Sequence, residues 1–165
     1  MPKLIKHRAL VQDDWTLLRE TNSIEEVSLA GNRVIISLTH WKQYQDELVD
    51  FEGKIGIWLE SSQSPKEIIT EVNSFEVIAL DFPVFSDGRA YSYARELRDE
   101  LQYTGELRAI GDVLRDQLYY MSSCGFDAFD LRADQDTKLA ITAFDDFKEA
   151  YQASVKQPVP LFRRR

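Results

Sequence analysis

From Arg33 onward, the chain alternates short runs of β-branched and other apolar residues with longer segments of helical spacing. This alternation is typical of βα units around a mainly parallel sheet. The predicted strands cover residues 34–38, 55–59, 76–80, 107–110 and 126–131. The sequence therefore predicts an α/β fold with about five βα units.

The segments between the apolar runs predict the helices. Pro65 follows Ser64, where the first turn of a helix tolerates proline, and Gly125 is placed to end a helix. The predicted helices cover residues 39–50, a segment that opens at Ser64, and residues 87–101, 113–123 and 138–153. Five such units form either an open doubly wound sheet or part of a TIM-like barrel, and the order of elements does not decide between them.

The N-terminal segment has a different pattern. Residues 3–18 contain two short extended pieces on either side of residues 12–14, which predicts an N-terminal β-hairpin. A chain of 165 residues fits one domain. We therefore expect a single domain over residues 1–165, with the βα repeats in residues 33–153 and a tail in residues 154–165.

Charge and composition narrow the class of partner. The net charge is -8 and the isoelectric point is near 4.8, so long-range electrostatics would repel nucleic acid and anionic membranes. The sequence has no run of membrane-spanning length, and its start lacks the apolar core of a secretion signal. We expect a cytoplasmic protein that binds neither nucleic acid nor membranes.

The residues that build common cofactor sites are sparse. Cys124 is the only cysteine, which excludes an intramolecular disulfide and a cysteine-rich metal site. No His-Glu-x-x-His pattern and no glycine-rich dinucleotide or phosphate loop follows a predicted strand. We therefore predict no metal site, and the sequence leaves the cofactor unknown.

Two predicted helix starts share a local pattern. Asp87 precedes Arg89, and Asp112 precedes Arg115, so each start offers an aspartate as N-cap and an arginine in the first turn. Helix N-termini are positive, so an arginine there indicates a nearby carboxylate or a bound anion. If both arginines point toward the strand ends, they hold a small oxyanion. In the alternative, each arginine pairs with its own cap aspartate.

Other polar residues follow the predicted strands at the edge where α/β proteins bind ligands. They include Asp81 and Arg132. Asp87 and Asp112 are the predicted catalytic groups, because burial and arginines tune carboxylates at strand ends. The predicted ligand-binding residues are Arg89, Arg115, Ser86, Tyr91 and His40, although His40 equally fits a capping or packed histidine.

Six motifs together carry a family resemblance. They are Phe82-Pro-x-Phe85, Asp87-Gly-Arg-x-Tyr-Ser92, Ala94-Arg-x-Leu-Arg98, Gly105-Glu-Leu-Arg-Ala109, Gly111-Asp-Val-Leu-Arg-Asp-Gln117 and Cys124-Gly-Phe-Asp127. Across residues 54–131, the chain resembles the bacterial domain of unknown function 934 family. The resemblance implies an oxidoreductase or an accessory protein of assimilatory sulfite reduction. Without a cysteine pair or a nicotinamide or flavin fingerprint, the accessory role fits the residues better.

Three functional hypotheses follow. The first is an accessory protein that binds sulfite reductase or a small sulfur oxyanion, with Arg89 and Arg115 facing the anion. The second is an enzyme acting on a small anionic metabolite, with Asp87 or Asp112 as acid-base group. The third is a non-catalytic subunit whose exposed aromatic side chains, among them Trp41, Tyr119 and Tyr120, form a protein interface.

Overall fold

A computed structural model of the chain describes residues 3–21 and 23–145. Within them, the protein is a mixed α/β structure whose eight-stranded sheet curls into a half-barrel. The strands are β1 Lys3–Lys6, β2 Ala9–Gln12, β3 Thr16–Leu17, β4 Arg33–Ser37, β5 Lys54–Leu59, β6 Val77–Phe82, β7 Glu106–Gly111 and β8 Ala128–Phe129.

Most of the helices follow a strand and are short. The α-helices are α1 Ile24–Ala30, α2 Leu38–Gln43, α3 Gln45–Leu48, α4 Arg89–Arg95, α5 Leu118–Cys124 and α6 Thr137–Thr142. Single turns of 3-10 helix cover Pro65–Ile68, Val72–Ser74, Arg115–Gln117 and Ala143–Asp145, and a π-helical turn covers Glu96–Glu100. Among the described residues, no helix combines the length and apolar character needed to cross a membrane.

Strand order decides between the two predicted arrangements. The order is β2-β1-β8-β7-β6-β5-β4-β3, and each strand from β3 to β8 pairs in parallel with the next. A doubly wound sheet reverses direction at a switch point, whereas consecutive parallel strands are the arrangement of a (βα) barrel. The sheet is therefore the barrel-like alternative, left open.

The predicted N-terminal hairpin is wrong in extent. The hairpin is formed by β1 and β2, and its turn lies at His7 and Arg8, which have φ of 52° and 65°. Strand β3 was predicted to belong to this hairpin but lies at the opposite edge of the sheet, parallel to β4. Gln12 is the last residue of β2, and residues 13–15 form a segment that crosses the sheet from β2 to β3, called the crossing segment here. The predicted turn at residues 12–14 is therefore wrong.

The remaining strands and helices are of the predicted types, but the number of βα units differs from the prediction. The count of five βα units is not confirmed, because six strands of the described sheet are parallel and only 3-10 turns connect β5 to β6. Gly125 ends α5 with φ of 118°, as predicted. The last predicted helix begins as α6, while residues 146–153 and the predicted tail lie outside the described residues.

The helix predicted over residues 87–101 is α4 with its π-helical extension. Ala90, Ala94 and Leu97 form its buried stripe, as their spacing predicts. Arg98 donates hydrogen bonds to the backbone carbonyls of Tyr103, at 2.8 Å, and of Gly125, at 3.0 Å. Arg98 thus joins the helix to two loops.

The two faces of the sheet bury different clusters. Side chains such as Leu80 pack under the helices in the largest apolar core. On the opposite face, called the inner face here, Trp15 packs with Ile35 and Trp58. Because side chains alternate along a strand, each strand contributes to both faces. Trp15 belongs to the crossing segment, which therefore covers part of the inner face.

A buried ion network holds the crossing segment in place. Arg108 of β7, which is 1% exposed, donates to Asp13 Oδ2 at 2.9 Å and to Glu106 Oε1 at 2.8 Å. Lys6 Nζ reaches the other oxygen of Glu106 at 2.9 Å. Buried charges need such partners. The Arg108 network thus connects the N-terminal strands to the middle of the sheet.

Candidate functional site

An open cleft of about 460 Å³ lies at the carboxyl ends of β6 and β7. It is lined by Arg19, Asp81, Phe82, Pro83, Gly111, Asp112 and Arg132. Ligands of parallel α/β sheets bind at this edge. We call it the carboxyl-end cleft. The strand-end rule correctly placed Asp81, Asp112 and Arg132 here.

Alternation along β6 aims Asp81 at the cleft. Leu80 and Phe82 belong to the apolar core under the helices, whereas Ala79 belongs to the inner-face cluster. Asp81 therefore continues the inner face at the end of the strand. A carboxylate here meets water instead of the core.

The same alternation operates along β8 and the extended residues after it. Phe129 and Leu131 pack against the core under the helices, so Asp130 and Arg132 face the inner side. The backbone N–H of Asp130 donates to the carbonyl of Ala109 at 2.9 Å, which extends the pairing of β7 with β8. Asp130 and Arg132 thus follow each other along the inner side of the sheet, at the carboxyl end of β8.

Gly111 allows the backbone to approach Asp81. Its φ is +91°, a conformation that favours glycine. A Cβ at this position would lie 2.5 Å from Asp81 Oδ1 and 2.5 Å from the carbonyl oxygen of Phe82. The next N–H, that of Asp112, donates to the same Phe82 carbonyl at 2.7 Å. The floor of the cleft therefore requires glycine here.

Arg19 is held in an orientation that leaves donors available. Its Nη1 donates to Asp81 Oδ1 at 2.9 Å, and its guanidinium carbon lies 5.0 Å from the ring centroid of Trp58. Trp58 is fixed in turn by a hydrogen bond from its indole N–H to the carbonyl of Leu18. Among the described residues, Asp81 Oδ1 is the single hydrogen-bond acceptor of the Arg19 guanidinium, a group that carries five N–H donors.

Arg132 has more partners. Its Nε and Nη2 donate to the two oxygens of Asp134 at 2.6 and 2.8 Å, and its Nη1 donates to Asp112 Oδ1 at 2.8 Å. The hydrogen bonds that Arg132 donates raise its pKa, and those to Asp134 have the largest effect. The second oxygen of Asp112 accepts the backbone N–H of Phe85 at 2.8 Å. Asp112 thus ties two loops together with both of its oxygens.

Asp130 is a half-buried carboxylate at the carboxyl end of the sheet. Its side chain makes no hydrogen bond or ion pair within residues 3–21 and 23–145. Burial raises the pKa of Asp130, and the positive charge of Arg108 opposes this shift. A carboxyl group with a raised pKa at a strand end is suited to proton exchange.

Asp87 and Arg89, which were predicted to bind an anion or each other, form hydrogen bonds with each other. Arg89 Nε donates to Asp87 Oδ1 at 3.1 Å and Nη2 to Oδ2 at 2.8 Å. Nη2 also donates to Ser61 Oγ at 2.8 Å. These hydrogen bonds from Arg89 lower the pKa of Asp87 far below its usual range. The observed pairing is the alternative in which Arg89 binds Asp87, but the predicted capping role of Asp87 is wrong, because the N-cap of α4 is Gly88.

The other predicted ligand residues lie in separate surroundings. The backbone N–H of Arg115 donates to Gln135 Oε1 at 3.0 Å, and the Nε of Arg115 donates to the carbonyl of Leu139 at 3.4 Å. Arg115 therefore faces α6 and shares no described contact with Arg89. Ser86 is exposed on the loop before α4. The ligand roles of these residues remain predictions.

Tyr91 and His40 are both engaged in packing or capping. The Tyr91 ring lies 5.2 Å from Phe82 and 4.9 Å from Tyr120, between centroids, and burial raises its pKa to about 12. Ser37 Oγ lies 2.8 Å from His40 Nδ1 and caps α2 by accepting the His40 N–H. The capping alternative considered for His40 is the one observed.

Metal coordination finds no support in side-chain geometry. Within residues 3–21 and 23–145, no three His, Cys, Asp or Glu side chains are grouped as a metal ion would need. The charged side chains that line the cleft are those of Arg19, Asp81, Asp112 and Arg132.

Together, fold and cleft define a mixed α/β protein with a polar site at the carboxyl ends of a curled, mostly parallel sheet. The sequence matches the family described as "Bacterial protein of unknown function (DUF934)" over residues 56–162. This match spans more than half of the chain, so the chain belongs to that family. A search of curated proteins finds no match. The matched segment includes Asp81, Asp112 and Arg132, whereas Arg19 precedes it.

Proposed function

We propose that this protein is an accessory protein of assimilatory sulfite reduction and that it binds a small sulfur oxyanion in the carboxyl-end cleft. The observation that carries the binding site is Arg19, which lines the cleft, is stacked on Trp58 and has Asp81 as the single hydrogen-bond acceptor of its guanidinium within residues 3–21 and 23–145. The link to sulfite reduction comes from the family resemblance. The chemistry of the ligand comes from the arginines.

Arg19 and Arg132 suit an oxyanion because a planar guanidinium offers parallel donors to two oxygens. At rest, Asp81 and Asp112 keep the two side chains in place. Both arginine side chains are 43% exposed, and exposed ion pairs contribute about 1 kcal/mol or less. An anion that replaces Asp81 or Asp112 as acceptor for these arginines therefore costs the protein little folding stability.

The originally predicted arginines suit an anion less well. Arg89 already has both oxygens of Asp87 as acceptors. An anion bound by Arg89 would have to compete with a bidentate carboxylate held two residues away. This comparison favours Arg19 over Arg89. Arg132 is also held by a bidentate carboxylate two residues away, that of Asp134, and it enters the proposal because it lines the cleft.

Glutamine substitutions test the assignment. We expect Arg19→Gln to weaken binding of sulfite or sulfate by about tenfold to about a hundredfold, the contribution of a charge-assisted hydrogen bond. Arg132→Gln should weaken it in the same direction. Isothermal titration calorimetry measures both effects, with sulfite handled without oxygen. Arg89→Gln is the matched control, and it should bind like the wild type. Unchanged binding in Arg19→Gln, or loss of binding in Arg89→Gln, would overturn the assignment.

The accessory role has its own test. The tagged protein is purified from a native host that grows on sulfate, and the amount of co-purified sulfite reductase is measured. Stoichiometric co-purification supports a direct partnership. If the tagged protein emerges alone, the partnership is excluded while the anion site is untouched.

A second proposal is an enzyme that acts on a small anionic metabolite in the same cleft. The observation in its favour is Asp130, whose pKa is raised by burial. Asp130 would then transfer the proton, in place of Asp87 and Asp112, whose oxygens are engaged. Turnover of a sulfur or phosphorylated metabolite that is lost in Asp130→Asn would support this proposal, and absence of turnover would count against it.

One of the three aromatic residues of the interface hypothesis packs against the core while staying partly exposed. Trp41 packs against the core, with its ring 5.2 Å from Phe75. Tyr120 is 50% exposed and Tyr119 is partly exposed. The loop before α4 adds Val84 and Phe85, which are also exposed. These side chains give a protein partner a place to bind beside the cleft.

A further inference from the structure

We propose that oxyanion binding in the carboxyl-end cleft is linked to protonation, and that a bound anion shifts Asp130 toward its protonated form. This inference rests on the proposed anion site. It adds a property that the arginines alone do not provide, since arginines keep their charge at every physiological pH. The cleft would then bind its anion more tightly as the pH falls.

The register of the sheet places Asp130 close to the anion. Asp81 pairs with Ile110 across β6 and β7, and Ala109 pairs with Phe129 across β7 and β8. Asp130 is therefore level with Asp81, two strands away, which is roughly 10 Å between backbones. Asp130 does not itself line the cleft, but the charge of Arg19, which does, acts on the Asp130 carboxyl, so an anion bound to Arg19 acts on it as well.

The charges around Asp130 leave it without a dedicated cation. The charged groups that act on the Asp130 carboxyl are Arg108, Asp13 and Arg19. Asp81 and Arg132, which line the cleft, belong to the same side of the sheet. Each arginine among them is already paired with a carboxylate: Arg108 with Asp13 and Glu106, Arg19 with Asp81, and Arg132 with Asp112 and Asp134. Asp130 is therefore the group whose charge is least compensated.

A bound anion makes the charged form of Asp130 still less favourable. The anion takes donors from Arg19 and Arg132 and brings negative charge to the same edge of the sheet. Burial already raises the pKa of Asp130 in the free protein, and a nearby like charge raises a carboxyl pKa further. Between the pKa of the free state and that of the bound state, binding takes up a proton. In that interval, affinity falls by up to about tenfold for each unit of rising pH.

The experiment uses sulfate as probe, because its charge stays constant over the pH range. Calorimetric titrations between about pH 5 and about pH 8, each in two buffers with different ionisation enthalpies, give the affinity and the number of protons taken up. The wild type should take up a measurable fraction of a proton, and its affinity should fall as the pH rises. Asp130→Asn should take up none, should lose the pH dependence, and should bind sulfate more tightly than the wild type at the upper end of the range.

Asp127→Asn is the matched control. Asp127 is also an aspartate with a pKa raised by burial, but it contacts Leu107 and Arg98 at the start of β8, away from the cleft. This variant should keep the proton uptake of the wild type.

The outcomes separate the two proposals. Sulfate binding by the wild type without proton uptake, or with uptake that persists in Asp130→Asn, overturns the role of Asp130 and leaves the anion site standing. Absence of binding by the wild type at every pH overturns the anion site itself. Uptake that is lost in Asp130→Asn alone supports both proposals.

Discussion

Arg108→Met will lower the free energy of unfolding by about 3–5 kcal/mol, the usual result of removing one partner from a buried ion pair. The substitution keeps much of the side-chain volume but removes the cation that binds Asp13 and Glu106. Both carboxylates have little access to water, with 12% and 7% of their side chains exposed. Lys6 compensates only Glu106. Urea denaturation followed by circular dichroism measures the loss.

A surface ion pair supplies the comparison for Arg108. Lys54→Met breaks the pair with Glu76, in which both side chains are about half exposed, and should cost about 1 kcal/mol or less. If Arg108→Met costs no more than Lys54→Met, the Arg108 network does not stabilise the crossing segment in the way described.

Gly111→Ala will destabilise the protein by about 3 kcal/mol or more, because backbone strain and steric overlap act together. The φ of +91° is unfavourable for alanine, and the new Cβ would overlap Asp81 Oδ1 and the Phe82 carbonyl. Asp81 would have to move, and Arg19 would lose its partner. We expect weaker sulfate binding in addition to the lower midpoint of urea denaturation.

Substitutions of two other glycines distinguish the effect of backbone strain from that of steric overlap. Gly31 has φ of +133°, and a Cβ there would meet nothing within 4 Å, so Gly31→Ala reports strain alone. Gly88 has φ of -90°, and its nearest contact would be Tyr91 at 3.9 Å, so Gly88→Ala introduces neither cause. The expected order of destabilisation is Gly111→Ala, then Gly31→Ala, then Gly88→Ala. Equal losses for the first two would show that the approach to Asp81 is not tight.

Local patterns predicted the parts of the fold that local physics determines. The apolar runs formed strands, the spacing of Ala90, Ala94 and Leu97 gave the buried stripe of α4, and Gly125 ended its helix. The N-terminal hairpin was misjudged because Asp13 resembles a turn residue. The partner of Asp13 is Arg108, 95 residues away in the sequence. A local sequence pattern does not show contacts between residues so far apart.

The candidate site was predictable to a similar degree. The strand-end rule located Asp81 and Arg132, because parallel strands bring their carboxyl ends to one edge. The paired Asp and Arg of residues 87 and 89 indicated an anion but bind each other. Arg19 was missed because β3 was assigned to the hairpin. Asp130 was missed because it lies inside an apolar run, where only the alternation of Phe129 and Leu131 distinguished it.

The order in which the sheet can be completed follows from the position of β1. This strand pairs with β8, with Ile5 opposite Phe129, and its Lys6 reaches Glu106 across 100 residues of sequence. During synthesis from the N-terminus, β3 to β7 can associate as each one emerges, since neighbours in the chain are neighbours in the sheet. Strands β1 and β2 have no docking edge in the sheet until β8 has left the ribosome. Until then, the side chain of Ile5, which is fully buried in the folded protein and lies opposite Phe129, lacks its neighbouring strand.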